Sequence, residues 1–291
     1  NSTSGAHTVQ LKAVSGSGAT VTFSTTEKGY KIIYLDGVAT NTGVYDITSD
    51  LNIDDLTVNN LIVKESLDVN GTIKLDGNYP TGTTNTALGD IAFNAIQSGA
   101  ARNVAVGSQA LEKLTTGDDN VALGNRALCT NVTGSCNIAV GKDSLRTNTG
   151  SSNVAVGHEA LSLNQSAANN IAIGALSLDA NTTGACNIGI GTGSLGATTT
   201  GQLNIGIGFR AGEKHTTGNH NTIVGHDAFR CNTTASGNTA FGYQAMHCNT
   251  DGHNNVAVGN ALCKNTTGLY NVAVGSGALS SNTTASANVG I

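Results

Sequence analysis

The chain of 291 residues holds 38 glycines, one proline and no tryptophan, with 11% charged residues, 4% aromatic residues and a net charge of −5. This is about half the usual charge and nearly twice the usual glycine, leaving too little side-chain bulk for two compact cores; collagen's Gly-X-Y period and a ~20-residue apolar membrane span are both missing. Hydrophobic residues (38%) spread evenly along the chain argue against disorder, and mild acidity gives no footprint for nucleic acid.

Residues 1–48 read as a small β-module. Three strands are expected, in His7–Val14, Ala19–Phe23 and Tyr30–Leu35, separated by Gly/Ser turns. Residues 49–80 carry near-pentads of the form L-x-[I/V]-x-x, beginning at Leu51, Leu56, Leu61 and Leu67. Such a segment cannot bury its Leu and Val alone, so an intertwined β-stem or linker with partner chains is expected. Acidic residues concentrate before residue 85, nine Asp/Glu against five Lys. The single proline, Pro80, closes this segment.

Residues 81–291 form a repeat array. A pentad Asn-[Val/Ile/Thr]-[Ala/Gly/Ile]-[aliphatic or Phe]-Gly starts at Asn85, Asn103, Asn120, Asn137, Asn153, Asn170, Asn187, Asn204, Asn221, Asn238, Asn255 and Asn271, with a thirteenth copy from Asn288 cut short at Ile291. The spacing is 17 residues with one 18 and two 16s. That period is too short for a helical hairpin repeat, and paired Gly with Asn-Thr-Thr-Gly breaks helices. Short pieces such as Val121-Ala-Leu read as strands, so each unit is one coil of a parallel β-solenoid, about 13 coils stacked ~4.8 Å apart.

Each position has an expected role. The Asn that opens each pentad forms a stacked amide ladder. The closing Gly (Gly89, Gly107, Gly124, Gly141, Gly157, Gly174, Gly191, Gly208, Gly225, Gly242, Gly259, Gly275) makes a corner of positive φ or close backbone approach. A second Gly, as in Asn181-Thr-Thr-Gly184, marks another turn and gives way to Ala167, Ala235 and Ala285. Pentad positions two and four are expected inside the coil. Position three, almost always Ala or Gly, then lies outside, and its small apolar residues call for a second copy of the chain to cover them.

These residues resemble known families. The unit N-V-A-V-G-x-x-A-L is similar to the head repeats of trimeric autotransporter adhesins, and the Asn-Thr-Thr-Gly linkers resemble still more closely those of bacteriophage tail-fibre-like proteins. Ser4–Lys12 and Tyr34–Gly37 are similar to a small β-module of phage fibres. The resemblance covers most of the chain and implies a homotrimeric parallel β-roll that attaches to a host surface. The period is longer than that typical of adhesin heads, which favours the phage fibre.

Other chemistry is weakly signalled. Gly191-Thr-Gly-Ser-Leu-Gly196 matches a dinucleotide-binding fingerprint, which needs a strand before it and a helix after it, but it follows repeat register. Cys231 and Cys248 share a repeat position one coil apart, within disulfide reach; Cys129 and Cys136 flank the turn Asn131–Gly134. Each pair is either a disulfide or two free thiols, and Cys186 and Cys263 have no evident partner. His158 and His226 share a position four coils apart, too far for one metal. Asn131, Asn164, Asn181, Asn232, Asn265 and Asn282 each open an Asn-x-Ser/Thr triplet on the second turn, where turn chemistry is the default and a glycosylated ridge the alternative. Thr ladders there sit in a turn rather than on the flat strand face that ice binding needs.

The reading is a non-enzymatic, cofactor-free and metal-free extracellular fibre, all-β, on a virion tail or a cell surface. Its expected partners are its own copies, as a homotrimer or an end-to-end polymer, and a host or neighbouring cell-surface glycan or protein. No nucleic-acid partner or membrane insertion is expected. The alternative is a self-assembling extracellular filament subunit without a receptor site. Because the array stops within a repeat, further chain or another subunit is expected over its open edge.

Overall fold

The structure, a computed structural model, describes residues 84–95 and 99–291 in full, together with the backbone of four short strands nearer the N-terminus. The chain divides into two compact units, Asn1–Gly71 and Thr72–Ile291. In the first, β1 (Val9–Lys12) pairs antiparallel with β2 (Thr20–Phe23), and β3 (Ile33–Leu35) with β4 (Val44–Asp46). The first three lie within the expected segments. The fourth, Val44-Tyr-Asp, is too short to stand out in sequence. The near-pentads of residues 49–80 and Pro80 lie outside the described residues.

The second unit is a β-solenoid. Thirteen three-residue or shorter strands, from β5 (Thr86–Leu88) to β17 (Val289–Gly290), form one sheet in strict sequence order. Every pairing is parallel and advances by one repeat: Val121 faces Ile138, Ala122 faces Ala139 and Leu123 faces Val140. At ~4.8 Å per step the stack is roughly 60 Å long. No described residue is helical.

A strand this short has no stability of its own, and its amides find partners only on neighbouring coils. Val121 N–H donates to the Asn137 carbonyl above (2.8 Å), while Gly124 and Arg126 donate to Val106 and Ser108 below (2.8 and 2.9 Å). Within a coil, two successive tight turns follow the strand: Ala127 N–H bonds the Gly124 carbonyl at 3.3 Å and Asn131 N–H bonds the Leu128 carbonyl at 3.1 Å. The corner Gly is required twice over. Gly124 has φ +139°, and a Cβ there would stand 2.6 Å from the Gly141 carbonyl oxygen of the next coil. Both the torsion and the stacking exclude any side chain.

The interior reverses the expected facing of the strand. The middle residue points inward: Ala105, Ala122, Ala139, Ala155 and Ala172 are fully buried, whereas Leu123, Ile138 and Ile173 on either side of it are 37–41% exposed. The reason is space. A 17-residue coil must also hold a Leu or another large side chain from its second turn, such as Leu111, Leu128, Leu145, Leu161 or Phe229, all fully buried. That side chain packs against the strand of the next coil, where Ala or Gly stands, except that Ile223 stands over Gly212. The Ala/Gly face is thus interior, not outward as expected, and the coil itself covers it. The need for cover passes to the Val/Ile face.

The corners hold a second surprise. Each regular coil places three positions in the left-handed region, most often without glycine: in the coil from Asn120 these are Arg126 (φ 58°), Leu128 (φ 52°) and Cys136 (φ 59°). An L-residue there costs on the order of 1–2 kcal/mol. Burial of the Leu column and the inter-coil hydrogen bonds hold these residues in place.

Candidate functional site

The most distinctive surface is the outer face of the long sheet. The two outer residues of each strand line it in two parallel columns, among them Ile138, Val140, Val154, Val156, Ile171 and Ile173. Further along, Ile207 (37%), Phe241 (55%), Val258 (37%) and Val274 (39%) continue the exposed apolar strip. Apart from Thr86, Thr222 and Thr239, the residues of both columns are aliphatic or aromatic. A continuous apolar strip along the whole stack exceeds what a monomer surface carries without purpose.

Behind this face the amide ladder supplies rigidity. Oδ1 of Asn103 accepts both the backbone N–H and the Nδ2–H of Asn120 (2.9 and 3.0 Å), and Asn120 Nδ2 also donates to the Gly134 carbonyl of its own coil (2.9 Å). The pattern recurs from Asn85 to Asn288. Each Asn therefore ties the strand entrance of one coil to its neighbours and closes its own coil across the interior.

A second ladder, absent from the sequence-based expectations, runs along the other turn. Asn131, Asn148, Asn164, Asn181, Asn232, Asn249 and Asn265 are fully buried. Asn164 Nδ2 donates to Asn148 Oδ1 (2.6 Å) and to the Ala167 carbonyl (3.0 Å); Asn181 and Asn265 repeat the arrangement. This corrects the glycosylated-ridge alternative. Asn131, Asn164, Asn181, Asn232 and Asn265 present no free amide in the folded coil, and only Asn282 is partly exposed. The sequence signal is the recurrence of Asn ten to eleven residues after eight of the twelve complete pentads.

The second ladder is broken by Thr198 and His215. Without an Asn above it, Asn181 Oδ1 is buried with no donor. His215 is fully buried, with Nδ1 2.7 Å from Asn232 Oδ1 and Nε2 2.9 Å from the Gly218 carbonyl. Burial pushes its pKa down, against the two hydrogen bonds that favour the charged ring.

Charged side chains gather at the corners. Asp143 is almost fully buried, and Arg126 (2.7 Å), Arg146 (3.8 Å) and Lys142 (3.9 Å) converge on it. Burial opposes its ionisation, but the hydrogen bond and charge of Arg126, with the other two cations, hold its carboxyl below the usual range. Asp227 occupies the same column and meets Arg210 (3.0 Å), His226 (3.1 Å) and Arg230 (3.8 Å). Phe209, His226 and Tyr243 stack along three coils with centroids 5.1 and 5.7 Å apart, and the Arg210 guanidinium lies 4.5 Å over Phe209. His158 pairs with its neighbour Glu159 at 3.5 Å.

The six cysteines are free thiols. Cys129 is buried and donates to Glu112 (3.4 Å), whereas Cys136 is exposed at a different corner of the coil, and both are free thiols, one of the two alternatives for this pair. Gly191–Gly196 lacks the helix that would cradle a phosphate: Gly191 is an ordinary corner glycine, with φ +121° and the Gly208 carbonyl oxygen 2.4 Å from where its Cβ would lie. Among the described residues no group of His, Cys, Asp and Glu is arranged to hold a metal ion, and no helix is long and apolar enough to cross a membrane. Compared with protein-family models, curated proteins and solved structures, the chain matches none.

Proposed function

We propose that this protein is a structural fibre component whose solenoids associate side by side as a homotrimer and carry an attachment surface for a cell-surface glycan or protein. The observation that supports this most is the outward Val/Ile strip. It repeats once per coil, and its best complement is a surface of the same period. Another copy of this chain, parallel and in register, offers that surface. Three copies around one axis form a closed ring, in which one edge of each strip meets the other edge of its neighbour's.

The remaining features fit a mechanical role. Two buried amide ladders and inter-coil hydrogen bonds make a stiff rod, and a rod that repeats its side faces presents weak contacts many times over, so avidity follows from geometry. The proposed setting is extracellular, on a virion tail or a cell surface, with no catalysis and no cofactor. Immunogold imaging of the producing material tests this. Label on short fibres at virion bases supports the reading; long label-covered filaments without virions turn it toward a self-assembling filament subunit; label confined to dispersed particles contradicts both.

A further inference from the structure

Three thiols lie on consecutive coils near the end of the array, and their register separates them. Backbone N–H groups at the outward column following the core turn bond to the carbonyl sixteen residues on: Ala197 to Glu213 (3.0 Å), Lys214 to Arg230 (3.2 Å) and Cys231 to His247 (3.0 Å). Cys231 is thus stacked directly on Cys248, with Cα atoms about one coil step, ~4.8 Å, apart and inside the range that a disulfide spans. Their column points to solvent, since Lys113, Lys214 and Lys264 in it are exposed. Both cysteines are partly exposed.

Cys263 does not belong to this column. The coil from Asn255 is one residue short, and Cys248 N–H bonds to the Cys263 carbonyl itself at 3.0 Å. The shift sets Lys264, not Cys263, above Cys248. The Cys263 thiol instead donates to the Gln244 carbonyl (3.6 Å) and to Asn260 Oδ1. Burial and the neighbouring Cys248 push its pKa up, which keeps it a thiol. Cys248 Sγ lies 3.6 Å from His247 Nδ1, in contact with an imidazole nitrogen.

We propose that Cys231 and Cys248 are a redox-active dithiol that closes to an inter-coil disulfide, with Cys248 as the attacking thiol and His247 as its proton acceptor. The oxidant is a small-molecule disulfide. The Cys248 thiolate attacks one of its sulfurs, forming a mixed disulfide and releasing one thiolate. The Cys231 thiolate then attacks Cys248 Sγ, forming the Cys231–Cys248 bond and expelling the second thiolate. Two protein thiols are oxidised, one disulfide is reduced to two thiols, and the two protein protons leave on those products. The bond pins two adjacent coils together.

Glutathione disulfide on the full chain, in a Cys136→Ser/Cys186→Ser background that removes the two exposed thiols, tests this. Iodoacetamide should then count two thiols instead of four. Cleavage after Tyr243 and before Asp251 places Cys231, Cys248 and Cys263 on separate fragments, and the first two should be joined. In that background Cys231→Ser, a substitution the column accommodates because Ser281 occupies it, should leave glutathione trapped on Cys248. His247→Asn should slow closure several-fold without changing its product. Retention of iodoacetamide label on both Cys231 and Cys248, a persistent glutathione adduct with Cys231 present, or linkage through Cys263 overturns the proposal.

Discussion

Gly189 lacks a side chain because Ser177, one coil below, occupies its space: a Cβ on Gly189 would lie 2.6 Å from the Ser177 hydroxyl, which donates to the Gly189 carbonyl at 2.9 Å. Ser194 and Gly206 repeat the pair at 2.7 Å and 2.8 Å. In register, Ala127 and Ala139 make an Ala–Ala pair, while Ser144 below Ala155 turns its hydroxyl to the Gly141 carbonyl of its own coil (2.9 Å). At Ser177/Gly189 and Ser194/Gly206 the two volumes compensate across adjacent coils. Gly189→Ala should destabilise the coil by about 1–3 kcal/mol through overpacking. Adding Ser177→Ala should recover most of that loss, because the pair then has the composition of its neighbours. Denaturant unfolding of the two single variants and the double variant measures the coupling.

A volume exchange gives the second prediction. Gly212 stands in the column of buried Leu, and Ile223 stands where other strands have Ala or Gly; a Cβ on Gly212 would be 2.9 Å from Ile223 Cδ1. Ile223→Ala leaves a cavity and should cost about 2–4 kcal/mol. Gly212→Leu alone collides with Ile223. The double variant should approach wild-type stability, since Leu195 and Leu178 already hold the same left-handed torsion (φ 52° and 51°). Thermal unfolding of all three variants checks the order.

The broken second ladder predicts a stabilising change. Thr198→Asn supplies the donor that Asn181 Oδ1 lacks, but moves the break up to His215. Thr198→Asn with His215→Asn fills the column with Asn from Asn131 to Asn282 and extends the bonded run Asn148, Asn164, Asn181 towards Asn232. The double variant should gain about 1–2 kcal/mol, the cost of one unpaired buried acceptor. No gain in denaturant midpoint would show that the break is harmless.

His215 also sets a pH dependence. Its folded pKa lies below the unfolded value of ~6.5, so the fold prefers the neutral ring. The contribution is complete above ~6.5 and is lost as pH falls through the folded value. Asp143, held below its usual range, acts in the same direction but only below about pH 4. Melting curves should therefore fall in two steps on acidification, and His215→Asn should remove the upper one. An unchanged upper step would place its origin elsewhere.

Much of this fold was legible because the period is written in residues with one physical use each. The pentad Asn and corner Gly announce where coils begin and turn, and strands β5 to β17 sit in those pentads. What escaped was direction. In a three-residue strand the alternation has only two phases, and Val-Ala-Val reads as inward-outward-inward until the Leu of the next turn is placed. The left-handed corners were hidden for a related reason: Leu128 and Arg126 are not residues that signal positive φ. The hints are Gly193, Gly212, Gly237 and Gly277, which replace such residues at φ 66°, 63°, 71° and 83°. The second Asn ladder is visible as a repeat position but reads as turn chemistry, because an Asn-x-Thr triplet looks the same whether its amide points in or out.

The outward Val/Ile strip carries the functional account, and substitution there separates association from folding. Ile138→Lys with Ile173→Lys places two charges on exposed sites of β8 (Ile138–Val140) and β10 (Ile171–Ile173), so the solenoid itself should remain folded by circular dichroism. Sedimentation equilibrium of the full chain at micromolar concentration is the most direct measurement. The account predicts three times the chain mass for the wild type and the single-chain mass for the double variant. A wild type that sediments as a single chain contradicts it.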